Sequence, residues 1–186
     1  MTIQTKALLL VPLVVSVVIT VFSALGYLVI TIIGVPFSLG FALQVRLLGI
    51  PLLASGFLLF GWLFRYRKPF DILVSTYLTL LKAIKGAPLE KLSGRTEPLV
   101  IQGPYLYLRH PLYLGVVLLA LGWWLVLDYS FLLFSAVLLL LWFNFVVAHF
   151  EEKELRAMFG EQYEQYSKEV PRMIPFTKRH KKQISP

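Results

Sequence analysis

Residues 103–152 read GPYLYLRHPLYLGVVLLALGWWLVLDYSFLLFSAVLLLLWFNFVVAHFEE, two apolar runs hinged on Asp128-Tyr129-Ser130. So short a linker leaves two helices little choice but an antiparallel hairpin. The hairpin returns the chain to the face where it began and sets Arg109-His110 beside Glu151-Glu152. Ionisable groups at the edge of hydrocarbon are costly to keep, so a gathering of them there points to a function or to a mutual ion pair.

The rest of the chain is of the same kind. Its 186 residues are 58% hydrophobic and 15% aromatic, with a mean hydropathy of +0.74. A soluble domain is about half apolar even with glycine counted, so this composition belongs to a membrane protein. Besides Pro111 to Leu127 and Phe131 to Phe150, two further runs, Ala7 to Ile33 and Leu47 to Phe64, approach or exceed the roughly 20 residues of helix that cross a bilayer core. The first is too long for the apolar region of a secretory signal and reads as a retained span. Arg46, near the start of the second, is expected to snorkel to the headgroups. With no cysteine and three scattered histidines, His110, His149 and His180, the chain carries no thiolate site and no expected metal centre.

The cations set the topology. Of 18 Lys and Arg, Lys6 precedes the first run, eight fall from Arg65 to Arg109 and eight from Lys153 to Lys182. The opposite loops hold only Arg46. This asymmetry places both termini and the central loop in the cytoplasm. It also accounts for the net charge of +8, with attraction to anionic membrane lipid and without nucleic acid. Within the central loop, Pro69 to Ile84 is apolar but short, and is expected to lie as an amphipathic helix at the cytoplasmic interface; a fifth crossing would oppose the charge count. Turn formers and mixed charges follow, from Gly86-Ala87-Pro88 to Thr96-Glu97-Pro98.

The expected architecture is therefore all-α and polytopic: about four transmembrane helices, a cytoplasmic interfacial helix and a C-terminal amphipathic cytoplasmic helix in one membrane domain, 1–186. Its parts are N-terminal helices and loop (1–98), a site-bearing region (99–176) and a basic tail (177–186). Pro111 suits the first turn of a helix, where its missing N–H costs nothing, so Arg109 and His110 stand at a helix N-terminus. Gly115, one turn on, permits close approach of a ligand or a helix. Beyond Glu151-Glu152, the residues Leu155, Phe159, Tyr163 and Tyr166 recur at helical spacing, which predicts a continuous amphipathic surface helix. From chemistry alone, Arg109, His110 and Tyr113 serve equally as interfacial anchors or as an anion site, and Glu151-Glu152 as a solvated face paired with Lys153 or Arg156.

The order GPYxYxRHPxYxG, apolar hairpin, EExxLxxxFGxxYxxYxxxVPRxIP resembles the C-terminal region shared by isoprenylcysteine carboxyl methyltransferases and phospholipid N-methyltransferases, integral membrane enzymes. The resemblance covers Leu99 to Pro175. It implies S-adenosylmethionine as cofactor, with Tyr105, Arg109, His110, Pro111, Tyr113, Gly115, Glu151 and Glu152 binding it and Arg109, Glu152 and Arg172 in catalytic roles. It implies methyl transfer to a lipophilic or lipidated acceptor at the cytoplasmic face, first a prenylcysteine-type carboxylate, alternatively a phospholipid amine or a small thiol. An amine would need a base, for which Glu152 or His149 is nearest. The sterol reductases share a related RHxNYxGD motif and use NADPH, but Leu112 and Val116 stand where their Asn and Asp belong. A non-enzymatic scaffold braced by an Arg-His to Glu-Glu ion pair is the remaining alternative.

Overall fold

The computed structural model describes residues 3–85 and 98–174. The basic tail from 177 onward, and most of the loop between Gly86 and Pro98, lie outside the described residues. The helices are α1 (Ile3–Ile33), α2 (Leu43–Leu47), α3 (Gly49–Phe64), α4 (Pro69–Lys85), α5 (Pro111–Leu127), α6 (Ser130–Trp142) and α7 (Ala148–Glu169), with a 3-10 turn at Gly103–Leu106. The protein is an all-α polytopic membrane protein. Among the described residues, three helical stretches are long and apolar enough to cross a membrane: Gln4–Ile33, Leu43–Phe64 and Ser130–Glu169. The fourth expected span, α5, has 17 residues, about 25 Å of rise, so it is short for a hydrocarbon core of about 30 Å.

The close pairing of α3 with α5 depends on small residues. Gly49 and Gly56 on one helix meet Gly115 and Gly122 on the other, each pair seven residues apart and so on one helical face. A Cβ on Gly49 would stand 2.6 Å from the Gly122 carbonyl oxygen, and one on Gly122 would stand 2.8 Å from the Leu53 side chain. Lipid tails are as apolar as leucine, so such backbone-to-backbone fit, rather than burial from water, holds membrane helices together. On its other flank α5 packs on α6, and α6 on α1. Gly26 of α1 is the matching contact there, its Cα set against the Phe131 carbonyl and Ser135.

At the turn of the hairpin, Asp128 adopts a left-handed conformation (φ 60°) that ends α5. Its carboxylate is fully buried and gathers the loop after α1: Ser38 Oγ donates at 2.6 Å, the Phe41 amide at 3.0 Å and the Leu39 amide at 3.2 Å. Arg46 Nη2 completes the shell at 3.2 Å, while its Nε donates to the Phe41 carbonyl. Arg46, expected to snorkel to the headgroups, is 40% exposed and also pairs with a carboxylate 82 residues away. Ser130 adds two bonds to the same loop, through its amide to Phe37 and its hydroxyl to Pro36.

The helix α4, 17 residues with Asp71 in its first turn, is not among the described helices long and apolar enough to cross a membrane. Its Tyr77 packs with Ala7 and Val11 in the first turns of α1, backed by Leu73, Val74, Leu78 and Leu81. Two local features depart from expectation. Between α6 and α7 the helix widens into a π turn, Phe143–Val147, and α7 is not continuous, because Gly160 breaks it at φ 51°, ψ −126°. Side chains disfavour that conformation, and glycine supplies it.

The glycine interface predicts a paired result. Gly49→Ala should lower stability by about 1–3 kcal/mol, because the new methyl meets backbone that no rotamer can relieve. Gly61→Ala, with nothing within 4 Å of its Cβ position, should be neutral or slightly stabilising in the same detergent-solubilised unfolding assay.

Candidate functional site

The site is assembled by stitching the chain before α5 to the chain after α7. Gly103 enters the 3-10 turn with φ 57°, where a side chain would overlap the Tyr66 ring. The amides of Arg109 and His110 donate to the carbonyls of Pro171 and Arg172, both at 3.0 Å, and Tyr166 Oη donates to the Tyr105 carbonyl at 2.7 Å. Beneath, Tyr163, Tyr166 and Val170 form a buried cluster with Leu99, Ile101, Leu155 and Phe159. The bend at Gly160 divides that aromatic face, with Leu155 and Phe159 before it and the two tyrosines after it.

Glu152 is the electrostatic centre. Its side chain is 2% exposed and faces Arg109, His110 and Arg172 at close range, with Arg156 Nη2 at 4.0 Å. Arg172 grips both oxygens, Nε to Oε1 at 2.8 Å and Nη2 to Oε2 at 2.7 Å; Arg109 Nη1 lies 2.8 Å and His110 Nε2 3.2 Å from Oε1. The π turn contributes as well, since Arg172 Nη1 donates to the Asn144 carbonyl at 3.0 Å. Widened helical turns free such carbonyls.

Glu151 faces elsewhere. Consecutive helical positions are about 100° apart, so the two glutamates diverge. Glu151 Oε2 accepts from Tyr113 Oη at 2.8 Å and lies 3.3 Å from His110 Nδ1. The rings of His110, Tyr113 and Phe143 stack nearly parallel, with centroids 5.2 and 4.7 Å apart. His110 thus sets one ring nitrogen against each glutamate, and only the imidazolium can donate from both. Burial acts to lower its pKa, but the hydrogen bonds and charges of Glu151 and Glu152 outweigh that and raise it above the ordinary 6.5.

These groups border an open cleft. Arg109, His110, Pro111, Tyr113 and Glu151 form one wall with Tyr105, α7 adds Leu155, Phe159, Tyr163 and Tyr166, and α4 closes the far side with Ile72, Ser75 and Thr76. Glu152 and Arg172 do not line this cleft; they border a separate groove on the other side of Arg109, with Arg156, Glu164 and Lys168. Gly115 lies against Phe60 of α3 and serves the helix contact. His149 is exposed and lines neither. The wall from α4, the broken helix and the π-turn carbonyl were not among the residues expected from sequence. Only the polar pair Ser75-Thr76 within an apolar helix hinted at the first.

The profile of the phospholipid methyltransferase family matches residues 45–162, more than half of the chain. The chain belongs to that family. Among curated proteins it is similar to a methanethiol S-methyltransferase of Crocosphaera subtropica, 39% identical over 83 residues, or 42% of this chain and 31% of that protein. It is also similar to the protein-S-isoprenylcysteine O-methyltransferase of Schizosaccharomyces pombe, 44% identical over 79 residues, 41% of this chain and 33% of that one. The match spans about a third of each curated relative's length. No solved structure matches the chain. Within this phospholipid methyltransferase family member, the profile takes in the hairpin, Arg109-His110 and Glu151-Glu152, and ends just short of the Tyr163–Arg172 closure.

Two outcomes follow from the charge cluster. Glu152→Ala leaves three buried or half-buried cations without their carboxylate, and should cost about 3–5 kcal/mol of stability in an unfolding assay, so loss of this residue damages the fold itself. His110 has a raised folded pKa, so its stabilising charge is fully present below pH about 6.5 and is lost as pH rises through the raised value. Melting temperature in detergent should fall across that range, and His110→Gln should flatten the fall.

Proposed function

We propose that this protein transfers the methyl group of S-adenosylmethionine to a lipophilic acceptor at the cytoplasmic membrane face. The observation that carries the reading is the mixed charge on one wall of the cleft, Glu151 beside Arg109 and His110. An amino-acid zwitterion offers an ammonium and a carboxylate, so it exchanges like for like with groups already paired there, and no buried charge is left over. Tyr105, Tyr113 and Pro111 supply the neighbouring surface. Gly115 contributes from behind by letting α5 approach α3, and Glu152 and Arg172 by fixing Arg109 and His110 in place. When bound, the cofactor supplies a methyl group already activated on a sulfonium, so alignment is the chief task left to the protein.

The acceptor reading follows from what the cleft holds. Of the bases an amine would call on, Glu152 is buried outside the cleft, His149 is exposed away from it, and Glu151 and His110 on the cleft wall are engaged with each other and with Tyr113. A carboxylate needs none. Transfer to a carboxylate would exchange S–CH₃ for O–CH₃ and neutralise sulfonium and carboxylate together as thioether and ester, and so would ask no proton transfer of Glu151 or His110. Joining of opposite charges is favoured in a site shielded from water. This supports the prenylcysteine-type carboxylate over the phospholipid amine and the small thiol, and Ile72, Leu99, Val100 and Phe159 give an apolar tail its surroundings. The cations at one end of the bundle support cytoplasmic termini, with Lys6 in the first turn of α1 and Arg65 to Lys68 after α3.

Calorimetry of the detergent-solubilised protein tests the reading. Saturable S-adenosylmethionine binding is expected, weakened about tenfold or more in Glu151→Gln through loss of a charged hydrogen bond. A folded protein with no saturable binding contradicts it.

A further inference from the structure

Two tyrosines of α7, Tyr163 and Tyr166, pack edge to face with ring centroids 5.9 Å apart. Both rings belong to the cluster beneath the cleft, and both residues border the cleft itself. Their hydroxyls differ. Tyr166 Oη donates to the Tyr105 carbonyl at 2.7 Å, one of the contacts that join the chain before α5 to the end of α7. Tyr163 is fully buried, yet its Oη has no hydrogen-bond partner among the described residues. A hydroxyl in that position has given up its hydrogen bonds to water and gained none from the fold, so it lowers stability where it stands.

The surroundings say what would satisfy it. The charges that act on the Tyr163 hydroxyl are those of Glu152, Arg109 and Glu151, which sets it among the charged groups of the cleft wall. The Arg109 side chain is 8% exposed, with Nη1 2.8 Å from Glu152 Oε1, and its Nε, like the phenol, is buried without a hydrogen-bond partner among the described residues. Arginine has only donors, so Arg109 cannot take the proton of the phenol. The carboxylates nearby are engaged, Glu152 at both oxygens by Arg172 and Glu151 by Tyr113. Arg109, the imidazolium of His110 and Arg172 also outnumber Glu151 and Glu152, so the wall carries positive charge in excess. Two buried donors in such a field call for an acceptor with more than one oxygen and a negative charge, which describes a carboxylate.

We propose that Tyr163 Oη acts with Arg109 Nε to hold the carboxylate at the amino-acid end of the cofactor, which makes Tyr163 the residue by which the site demands that carboxylate. The identity of the ligand rests on the methyl-transfer reading, whereas the part given to Tyr163 is tested by itself. The full chain in detergent is titrated by calorimetry with S-adenosylmethionine and with its decarboxylated form, which keeps the sulfonium, the methyl group and the ammonium. Wild type should bind S-adenosylmethionine about tenfold or more tightly than the decarboxylated form, the worth of a charged hydrogen bond. Tyr163→Phe should weaken S-adenosylmethionine by about threefold to tenfold and leave the decarboxylated form within about twofold. Its melting temperature without ligand should be unchanged or raised, because the hydroxyl removed has no partner to lose. Tyr166→Phe supplies the contrast: it loses the bond to Tyr105, so it should lower the melting temperature and keep the preference for the carboxylate. The proposal is overturned if the preference survives Tyr163→Phe, if that variant weakens both forms alike, or if it fails to fold or loses as much melting temperature as Tyr166→Phe. Equal binding of both forms by wild type would sink this inference alone, and binding of neither by folded protein would sink the methyl-transfer reading along with it.

Discussion

One buried carboxylate, that of Glu152, organises the site-bearing end of this molecule. Glu152 sits 2% exposed with Arg109, His110 and Arg172 around it. A carboxylate so placed is tolerable only when paired and hydrogen-bonded, and each of its partners is tolerable only because it is there. Arg109 and His110 come from the segment before α5, Arg172 from the segment after α7, and Glu152 from α7 itself. The charges therefore decide how three stretches of chain meet. The amide bonds from Arg109 and His110 to Pro171 and Arg172 make the same join in the backbone.

With that join in place, the neighbouring glutamate is turned toward the cleft. The division of labour between Glu151 and Glu152 is a matter of helical geometry: one step along α7 separates a residue that holds the wall from a residue that lines the cleft. His110 couples the two, with one ring nitrogen toward each. At the other end of the hairpin Asp128 plays a comparable part, tying the loop after α1 and Arg46 to the turn between α5 and α6. Each end of the apolar hairpin is thus fastened by an acidic residue, and the glycine contacts of α3 with α5 fasten its length.

Much of this was legible in the sequence because it rests on short-range rules. Pro111 marks the start of α5, the Asp128-Tyr129-Ser130 hinge forces the hairpin, and the hairpin brings Arg109-His110 to Glu151-Glu152. What escaped depends on distant or degenerate information. Nothing local tells that Arg46 will find Asp128, or which of two adjacent glutamates turns inward. A glycine inside a helical pattern reads as well for a close contact, as at Gly115, as for a break, as at Gly160; only the fold separates them. The π turn at Phe143–Val147 has no periodic signature either, because five apolar or amide residues fit an ordinary helix as readily.

The central claim is that methyl is carried from a soluble donor to an oxyanion on a lipophilic molecule at this cleft. Membranes containing the protein, incubated with S-adenosylmethionine labelled in its methyl group and then extracted, test it most directly. The account predicts label in an organic-soluble product that mild base releases as volatile methanol, the behaviour of a carboxyl methyl ester. Label stable to base, as on an amine or a thioether, would contradict the acceptor assignment, and no protein-dependent transfer would contradict the function.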